Sequence, residues 1–423
     1  MTNKIDYIDD DFQGITNVSG RIVKVPFTNI GDEVEVLDIT NNKHKPIATK
    51  YNIVSKVATS VNPICDYYTK CGGCLGQHFT KQQYLELKKN KLLNALNQHN
   101  INYSKDIELI SYINNPQGYR RRAVFAVLGN KIGFNEFKSN FVVNINSCPL
   151  LTSNINLALK ELQVFLKNTN NAMQISQIII SDVENSLDIL ILCNAKVDIK
   201  IIQNLSSLFA LACVAKVSYT YKNSAPTLLI SKNKVNLKYA SVDVPFASGG
   251  FLQASKNAEE TLQSLVVNAI NNKFSNSKNI KVLDLFCGFG GYAFNLAKLD
   301  CIKTVHSYDI NEDAIKTINS LNVAKITAFS HNIIKHPLFE KTLNNFNAIV
   351  TNPPRMGAGE QVEEIIKSKN IQQVVGVYCS LSAFINDVKM LTQNGFSIKN
   401  IIILDQFLFN PHIEIFIDLH KDI

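Results

Sequence analysis

The chain has 423 residues, 46% hydrophobic and 18% charged, with 43 basic and 35 acidic side chains for a net charge of +8. That length exceeds what one hydrophobic core organises, so two or three domains are expected, and the mild positive balance admits a nucleic-acid partner without requiring one. No apolar run reaches the ~18 residues of a membrane helix, and the start, Met1-Thr-Asn-Lys-Ile-Asp-Tyr7, lacks a charged-then-apolar leader; a soluble, cytoplasmic chain with no membrane partner is expected.

Residues 1–12 carry Asp6, Asp9, Asp10 and Asp11 and no apolar period, which predicts a flexible acidic tail. Residues 13–62 then alternate apolar and polar, as in Arg21-Ile-Val-Lys-Val-Pro-Phe27 and Glu33-Val-Glu-Val-Leu-Asp-Ile39, with a turn at Asn29-Ile-Gly-Asp32. Short strands of this kind predict an OB-like barrel, a fold that often binds oligonucleotides. Lys43-His44-Lys45 and Lys50 add positive charge there.

Residues 63–250 read as a β-rich central domain that opens on a cysteine cluster. Nine cysteines is a high count for a cytosolic chain, where disulfides are rare and clustered thiols point to metal or catalysis. Cys65, Cys71 and Cys74 follow C-x5-C-x2-C, and Cys148 stands far downstream before Pro149. Four thiolates ending in Cys-Pro suit a [4Fe–4S] cluster, with zinc on four cysteines as the alternative. His78 reads as a surface residue. Residues 80–98 predict an amphipathic helix with Thr80 as N-cap and a basic face. In Gly118-Tyr-Arg-Arg-Arg122, strand alternation puts Arg120 and Arg122 on one face and Arg121 on the other; such guanidinium forks suit phosphates. Strands at 175–180 and 187–193, joined at Glu184-Asn185-Ser186, and segments 213–222 and 226–231 continue the domain.

Residues 251–423 alternate strand and helix. Strands are predicted at 281–286, 303–309, 346–351, 372–378, 396–404 and 413–419, and helices at 291–299, 311–320, 360–368 and 382–393. This is a doubly wound, Rossmann-like α/β domain. Its centre is Val282-Leu-Asp-Leu-Phe-Cys-Gly-Phe-Gly-Gly291: a strand buried on both faces, a glycine turn and a helix start. Gly288, Gly290 and Ala293 fit G-x-G-x-x-[GA], and Asp309 ends the next strand where a ribose-binding acid belongs. NAD and S-adenosylmethionine both satisfy that pattern; Asp284 inside the strand leans towards the methyl donor.

Ligands of such sheets bind beyond the carboxyl ends of the strands. Those ends carry Asn352-Pro-Pro-Arg355, Cys379, and a 405–414 segment that finishes His412-Ile-Glu414. Asn-Pro-Pro followed by an aromatic residue is associated with methylation of exocyclic amines on bases; here the next residue is Arg355. A cysteine at the next strand end suits another chemistry. C5 of uracil is a poor nucleophile, and thiolate addition at C6 turns the ring into an enolate whose C5 attacks a methylsulfonium. A base must then remove the C5 proton. Cys379 and Glu414 supply those groups, with His412 as rival base.

The motif set resembles the RNA uracil-C5 methyltransferases that carry an iron–sulfur cluster, including enzymes of 23S ribosomal RNA, over nearly the whole chain. The likeness rests on the four cysteines, Tyr119-Arg-Arg-Arg122, Phe251-Leu-Gln253, Asp284-Leu-Phe286-Cys-Gly288, Asn352-Pro-Pro-Arg355, Cys379 with Asp387 eight residues on, and Glu414. It implies that Gln253, Phe286, Asp309 and Asn352 contact S-adenosylmethionine, that Cys379 is the nucleophile and Glu414 the base. It also implies that Cys65, Cys71, Cys74 and Cys148 hold the cluster. Residues 13–62 resemble a TRAM domain. The expected partner is RNA, 23S rRNA above tRNA, and the expected state a monomer. The sequence departs from the family at Cys379-Ser-Leu381 and at Phe407-Leu-Phe-Asn-Pro-His412, where Cys-Asn-Pro and Phe-Pro-His-Thr are usual.

Overall fold

The computed structural model describes residues 2–40, 46–169, 174–194, 203–222 and 224–421. Lys43-His44-Lys45 lies outside the described residues. Two three-stranded sheets form the N-terminal unit: Thr2–Lys4, Glu33–Ile39 and Ala48–Ser55 in one, Tyr7–Ile8, Gly14–Val18 and Arg21–Val25 in the other. The acidic start is therefore not a loose tail. Ile5, Ile8 and Phe12 are buried, Lys24 pairs with Asp9 at 2.5 Å, and Lys91 donates to the Asp10 carbonyl at 2.9 Å. Apolar anchors between the aspartates outweigh the local charge, and two lysines offset part of it.

A seven-stranded central sheet runs Val142–Asn144, Lys131–Asn135, Arg122–Leu128, Ile175–Val183, Ser186–Cys193, Val214–Tyr221, Thr227–Ser231. Helix Ser153–Asn168 covers one face with Ile155, Leu159, Leu162 and Leu166, all buried. Thr152 caps it by accepting from the Ile155 N–H.

The C-terminal sheet has eight strands, in the order Ile326–Ser330, Ile302–Asp309, Ile280–Leu285, Ala348–Thr351, Gln373–Tyr378, Glu414–Lys421, Phe396–Asp405, Glu108–Ser111. The first five are mutually parallel, and Glu414–Lys421 runs antiparallel between its neighbours. Strand order reverses between Ile280–Leu285 and Ala348–Thr351, which places a crevice at that switch point. Helix Lys256–Phe274 packs over the sheet through Leu262, Val266 and Ile270.

Two elements from before residue 112 complete this half. Strand Glu108–Ser111 pairs with Ile402–Asp405 along the edge. Helix Lys81–Gln98, capped by Thr80, buries Leu92 and Leu96 in the same core as Leu283 and Ile403. Its predicted basic face is interrupted, because Lys88 is fully buried. His78 is likewise buried, its ring nitrogens bonded to the Thr28 carbonyl and the Tyr68 hydroxyl, so the surface reading is corrected.

Candidate active site

The central strand Ile280–Leu285 ends in a strained turn. Phe286 takes φ 60°, in the left-handed region, and Gly290 takes φ 80° as it opens helix Gly291–Leu296. A side chain at Gly290 would also press on Phe294 and Ile318 at 3.0 and 3.2 Å, so glycine is required there twice over. On the neighbouring strand end, the Asn352 N–H donates to the Leu285 carbonyl at 3.2 Å and closes the crevice floor.

Gln253, Phe286, Asp309, Asn352, Cys379 and Glu414 all line one crevice of about 770 Å³. The sequence thus named residues that the fold brings together from six separate segments. Asp309 accepts from the Gly288 N–H at 2.9 Å and the Asn311 N–H at 2.8 Å, which fixes its carboxylate at the mouth of the glycine turn. Asp284 is fully buried and neither oxygen makes a well-formed hydrogen bond. Burial first, and the nearby Asp309 second, push it up to about 8, against a weaker pull from the Ala293 N–H. Asp309, which lines the crevice, offers an acceptor to a ligand that brings donors, as the ribose hydroxyls do.

Cys379, Arg355 and Glu414 line the same crevice. Cys379 follows strand Gln373–Tyr378 and is half-buried. Burial raises its thiol, and Glu414 raises it further; Arg355 opposes both by charge and by a hydrogen bond. The Asn352–Arg355 loop is held from behind. Gly357 turns at φ 89°, and the Ala358 N–H donates to Asp387 at 2.9 Å. Asp387, eight residues after Cys379, therefore braces the loop that presents Arg355.

Glu414 is buried and burial pushes it up to about 7. It accepts from Gln406 Nε2 at 2.8 Å, and that same nitrogen donates to Gln253 Oε1 at 2.9 Å. His412 stands at the rim with its outer side exposed. Desolvation of its inner side, then Arg355, Lys91 and Lys88, lower it to about 4, so its ring is neutral.

The segment from Asp405 to Glu414 is anchored by helix Lys81–Gln98. Lys88 forms a buried ion pair with Asp405 and donates to the carbonyls of Phe407 at 3.1 Å and His412 at 2.8 Å. Tyr84 and Ser111 hydroxyls also donate to Asp405, each at 2.8 Å. The cysteine loop holds the other side: Leu75 and Gly76 N–H groups donate to the Phe409 carbonyl at 2.7 and 2.9 Å.

The three arginines divide as strand alternation requires, but not all face a ligand. Arg120 and Arg122 line the crevice. Arg121 is buried, paired with Glu259 at 2.6 Å and bonded to the Gln253 carbonyl at 3.2 Å. Its phosphate reading is corrected: an internal carboxylate takes the charge, and the guanidinium braces the segment that carries Gln253.

Cys65, Cys71, Cys74 and Cys148 line a second cavity of about 250 Å³, which shares Arg120, Phe134, Arg355, Phe407 and His412 with the crevice wall. Burial raises all four thiols, Cys74 to about 12 and Cys148 to about 11. Among the described residues no group of three or more His, Cys, Asp or Glu is placed to hold a metal ion. In ligand type, four soft donors around a cavity suit a [4Fe–4S] cluster or zinc on four cysteines alike.

Sequence reasoning missed Gln406 and the anchoring Lys88, and it named Asp387 without a bracing role.

Comparison with known proteins agrees with this layout. Residues 1–58 match the family described as tRNA (uracil(54)-C(5))-methyltransferase, TRAM domain, and residues 262–375 match the methyltransferase small domain. An uncharacterized RNA methyltransferase of Brucella suis is 28% identical over 95% of this chain and 93% of its own length. The 23S rRNA (uracil(1939)-C(5))-methyltransferase of Aliivibrio fischeri is 24% identical over 96% of this chain and 93% of its own. Among solved structures, the Pyrococcus abyssi tRNA (uracil-54, C5)-methyltransferase in complex with S-adenosyl-L-homocysteine is similar in fold, with TM-score 0.75 at 21% identity, covering 99% of this chain and 100% of that one. The chain is a homologue of proteins named RNA methyltransferases, with a TRAM domain joined through a β-rich middle to a methyltransferase domain of Rossmann-like fold.

Proposed function

We propose that this protein methylates C5 of a uridine in RNA, with Cys379 as nucleophile and Glu414 as base. What supports this most is that Cys379, Arg355 and Glu414 line the same crevice as Asp309 and Asn352. An amine methyltransferase has no use for a thiol and a base lining the donor crevice.

Gln253, Phe286, Asp309 and Asn352 hold the methyl donor at the switch point, where S-adenosylmethionine supplies an electrophilic methyl group. Arg355 lowers the cost of ionising Cys379, whose thiol burial otherwise holds up. The thiolate adds to C6 of the uracil and the pair of electrons from the ring double bond goes to O4 as an enolate. C5 then takes the methyl group. Glu414, buried and poised near neutrality, removes the C5 proton, the ring double bond re-forms and the Cys379 thiolate leaves.

Arg120 and Arg122 contact phosphates, and the N-terminal TRAM unit adds RNA affinity. A 23S rRNA substrate is favoured by the full-length likeness to the Aliivibrio fischeri enzyme. A tRNA substrate has its own support in the match of residues 1–58. The four cysteines hold a [4Fe–4S] cluster, through which no step of the reaction passes. The protein works as a cytoplasmic monomer.

Mass mapping of methylated uridines in 23S rRNA and tRNA, with and without this protein, tests the substrate directly. The chemistry is tested with RNA carrying 5-fluorouridine, which cannot lose its C5 substituent as a proton. A gel-stable adduct is expected that needs both S-adenosylmethionine and Cys379. The same adduct with Cys379→Ala would overturn the assignment.

A further inference from the structure

The base is not held by its own strand alone. Gln406 is 1% exposed, and its single amide nitrogen lies 2.8 Å from Glu414 Oε2 and 2.9 Å from Gln253 Oε1. An ionised carboxylate only accepts, so the amide must turn its nitrogen towards Glu414. Both protons of that nitrogen are then committed, one to the base and one to Gln253. Gln253 is forced in turn to spend its oxygen on Gln406, which leaves its own amide nitrogen as the free donor on the crevice side.

We infer that Gln406 is a positioning residue that holds the Glu414 carboxylate for proton removal and fixes Gln253 with its N–H groups towards the bound ligand. This rests on the reading of Glu414 as base.

Three observations support the assignment over a packing role. Gln406 Oε1 is itself buried without a partner among the described residues. A residue kept for volume would do better as methionine or leucine, which carries no orphaned acceptor. The residue before it is the most heavily anchored point of the segment, since Asp405 receives Lys88, Tyr84 and Ser111. The amide therefore springs from a fixed backbone, as a positioning group needs. Finally, Gln253 is braced separately by Arg121, whose Nε donates to its carbonyl at 3.2 Å. Backbone and side chain of Gln253 are thus fixed by two different groups, and among the described residues only Gln406 addresses its carboxamide.

The consequence for the reaction is specific. Gln406 donates to the charged form of Glu414 and so favours ionisation, against burial, which opposes it. Without that donor the base should be harder to ionise. Proton removal should suffer, while addition of Cys379 and methyl transfer continue.

The test uses the full-length protein with Gln406→Met, which keeps length and removes both polar atoms. Turnover on uridine RNA is followed from pH 5.5 to 9, and covalent protein–RNA adduct is quantified at each pH. The basic shift expected in the rising limb is about one pH unit. Adduct should accumulate below the shifted limb, and S-adenosylhomocysteine should bind several-fold more weakly because Gln253 is freed to turn. Gln406→Glu serves as second variant if the methionine form does not fold. It places a second acid against Glu414 and should move the limb further up. An unshifted limb with no adduct in whichever variant folds overturns the role of Gln406. Glu414→Gln separates that result from failure of the underlying reading. Trapped methylated adduct in Glu414→Gln with an unshifted Gln406 variant leaves the base in place and removes only Gln406. Normal turnover in Glu414→Gln removes the base itself.

Discussion

Replacing Lys88 by methionine should loosen the segment that carries Glu414, and the structure sets the size of the effect. The Lys88 ammonium is fully buried and serves the Asp405 carboxylate and the carbonyls of Phe407 and His412. Removing one partner of a buried ion pair costs ~3–5 kcal/mol. Asp405 keeps two hydroxyl donors, from Tyr84 and Ser111, so the lower end, ~3 kcal/mol, is the better figure. A chain with several sheets does not unfold in one step, so the readout should be local. Amide hydrogen exchange over 406–413 reports it, because the Leu408 and Phe409 N–H groups are bonded to the Tyr119 and Tyr84 hydroxyls, each at 3.1 Å. Exchange there should accelerate about a hundredfold while strand Ile280–Leu285 stays protected. The double variant Lys88→Met with Asp405→Leu removes the stranded charge and should recover most of the protection. Exchange within about threefold of the parent in the single variant, or a double variant worse than the single, would refute the account.

Turnover should rise with pH through about 7, because Glu414 must be ionised to take a proton and burial holds it there; a rate that falls across that range would exclude it as base. Arg120→Ala and Arg122→Ala should each flatten the salt dependence of RNA binding by about one unit of slope. Arg121→Ala should leave the slope unchanged and lower the melting temperature, since its charge is spent on Glu259. Protein purified without oxygen should be brown and carry about four irons and four sulfides per chain; stoichiometric zinc without sulfide would assign the cysteines otherwise.

The parallel core was legible because strands buried on both faces leave near-continuous apolar runs, interrupted only by Asp284 in Val282–Leu285 and by Gly376 in Val374–Val377. Strand Ile326–Ser330 was missed for the opposite reason: it is an edge strand with only Ala328 buried, so its sequence carries no alternation. Helix Lys256–Phe274 did leave its trace, Ser255 as cap and apolar residues at 258, 262, 266 and 270, and the reading simply began the alternation too late. The residues that line the crevice were legible where unusual types stand at strand ends, as at Asn352, Cys379 and Glu414. Partnerships across the chain were not. Lys88 meets Asp405 across 317 residues, and nothing in either neighbourhood points to the other. Arg121 looked like its two neighbours until Glu259 claimed its charge.

Those distant partnerships imply that the methyltransferase half cannot stand alone. Helix Lys81–Gln98 and strand Glu108–Ser111 precede the central domain in sequence, yet they finish the C-terminal sheet and its core. Leu92, Leu96, Ile101 and Ile107 are all buried in the cluster that contains Leu283, Ile403 and Ile415. Each contributes ~1.5–3 kcal/mol by burial, so residues 251–423 expressed alone would forgo ~6–12 kcal/mol, as much as the whole net stability of many domains. The same truncation strips Asp405 of Lys88, Tyr84 and Ser111 together and leaves a carboxylate with no donor from them. Residues 251–423 alone should therefore show no cooperative melt and no binding of S-adenosylhomocysteine. Co-expression with residues 1–250 should restore both, since the missing strand and helix are supplied in trans. A cooperative melt with ligand binding by 251–423 alone would show that the early elements only decorate a domain that is already complete.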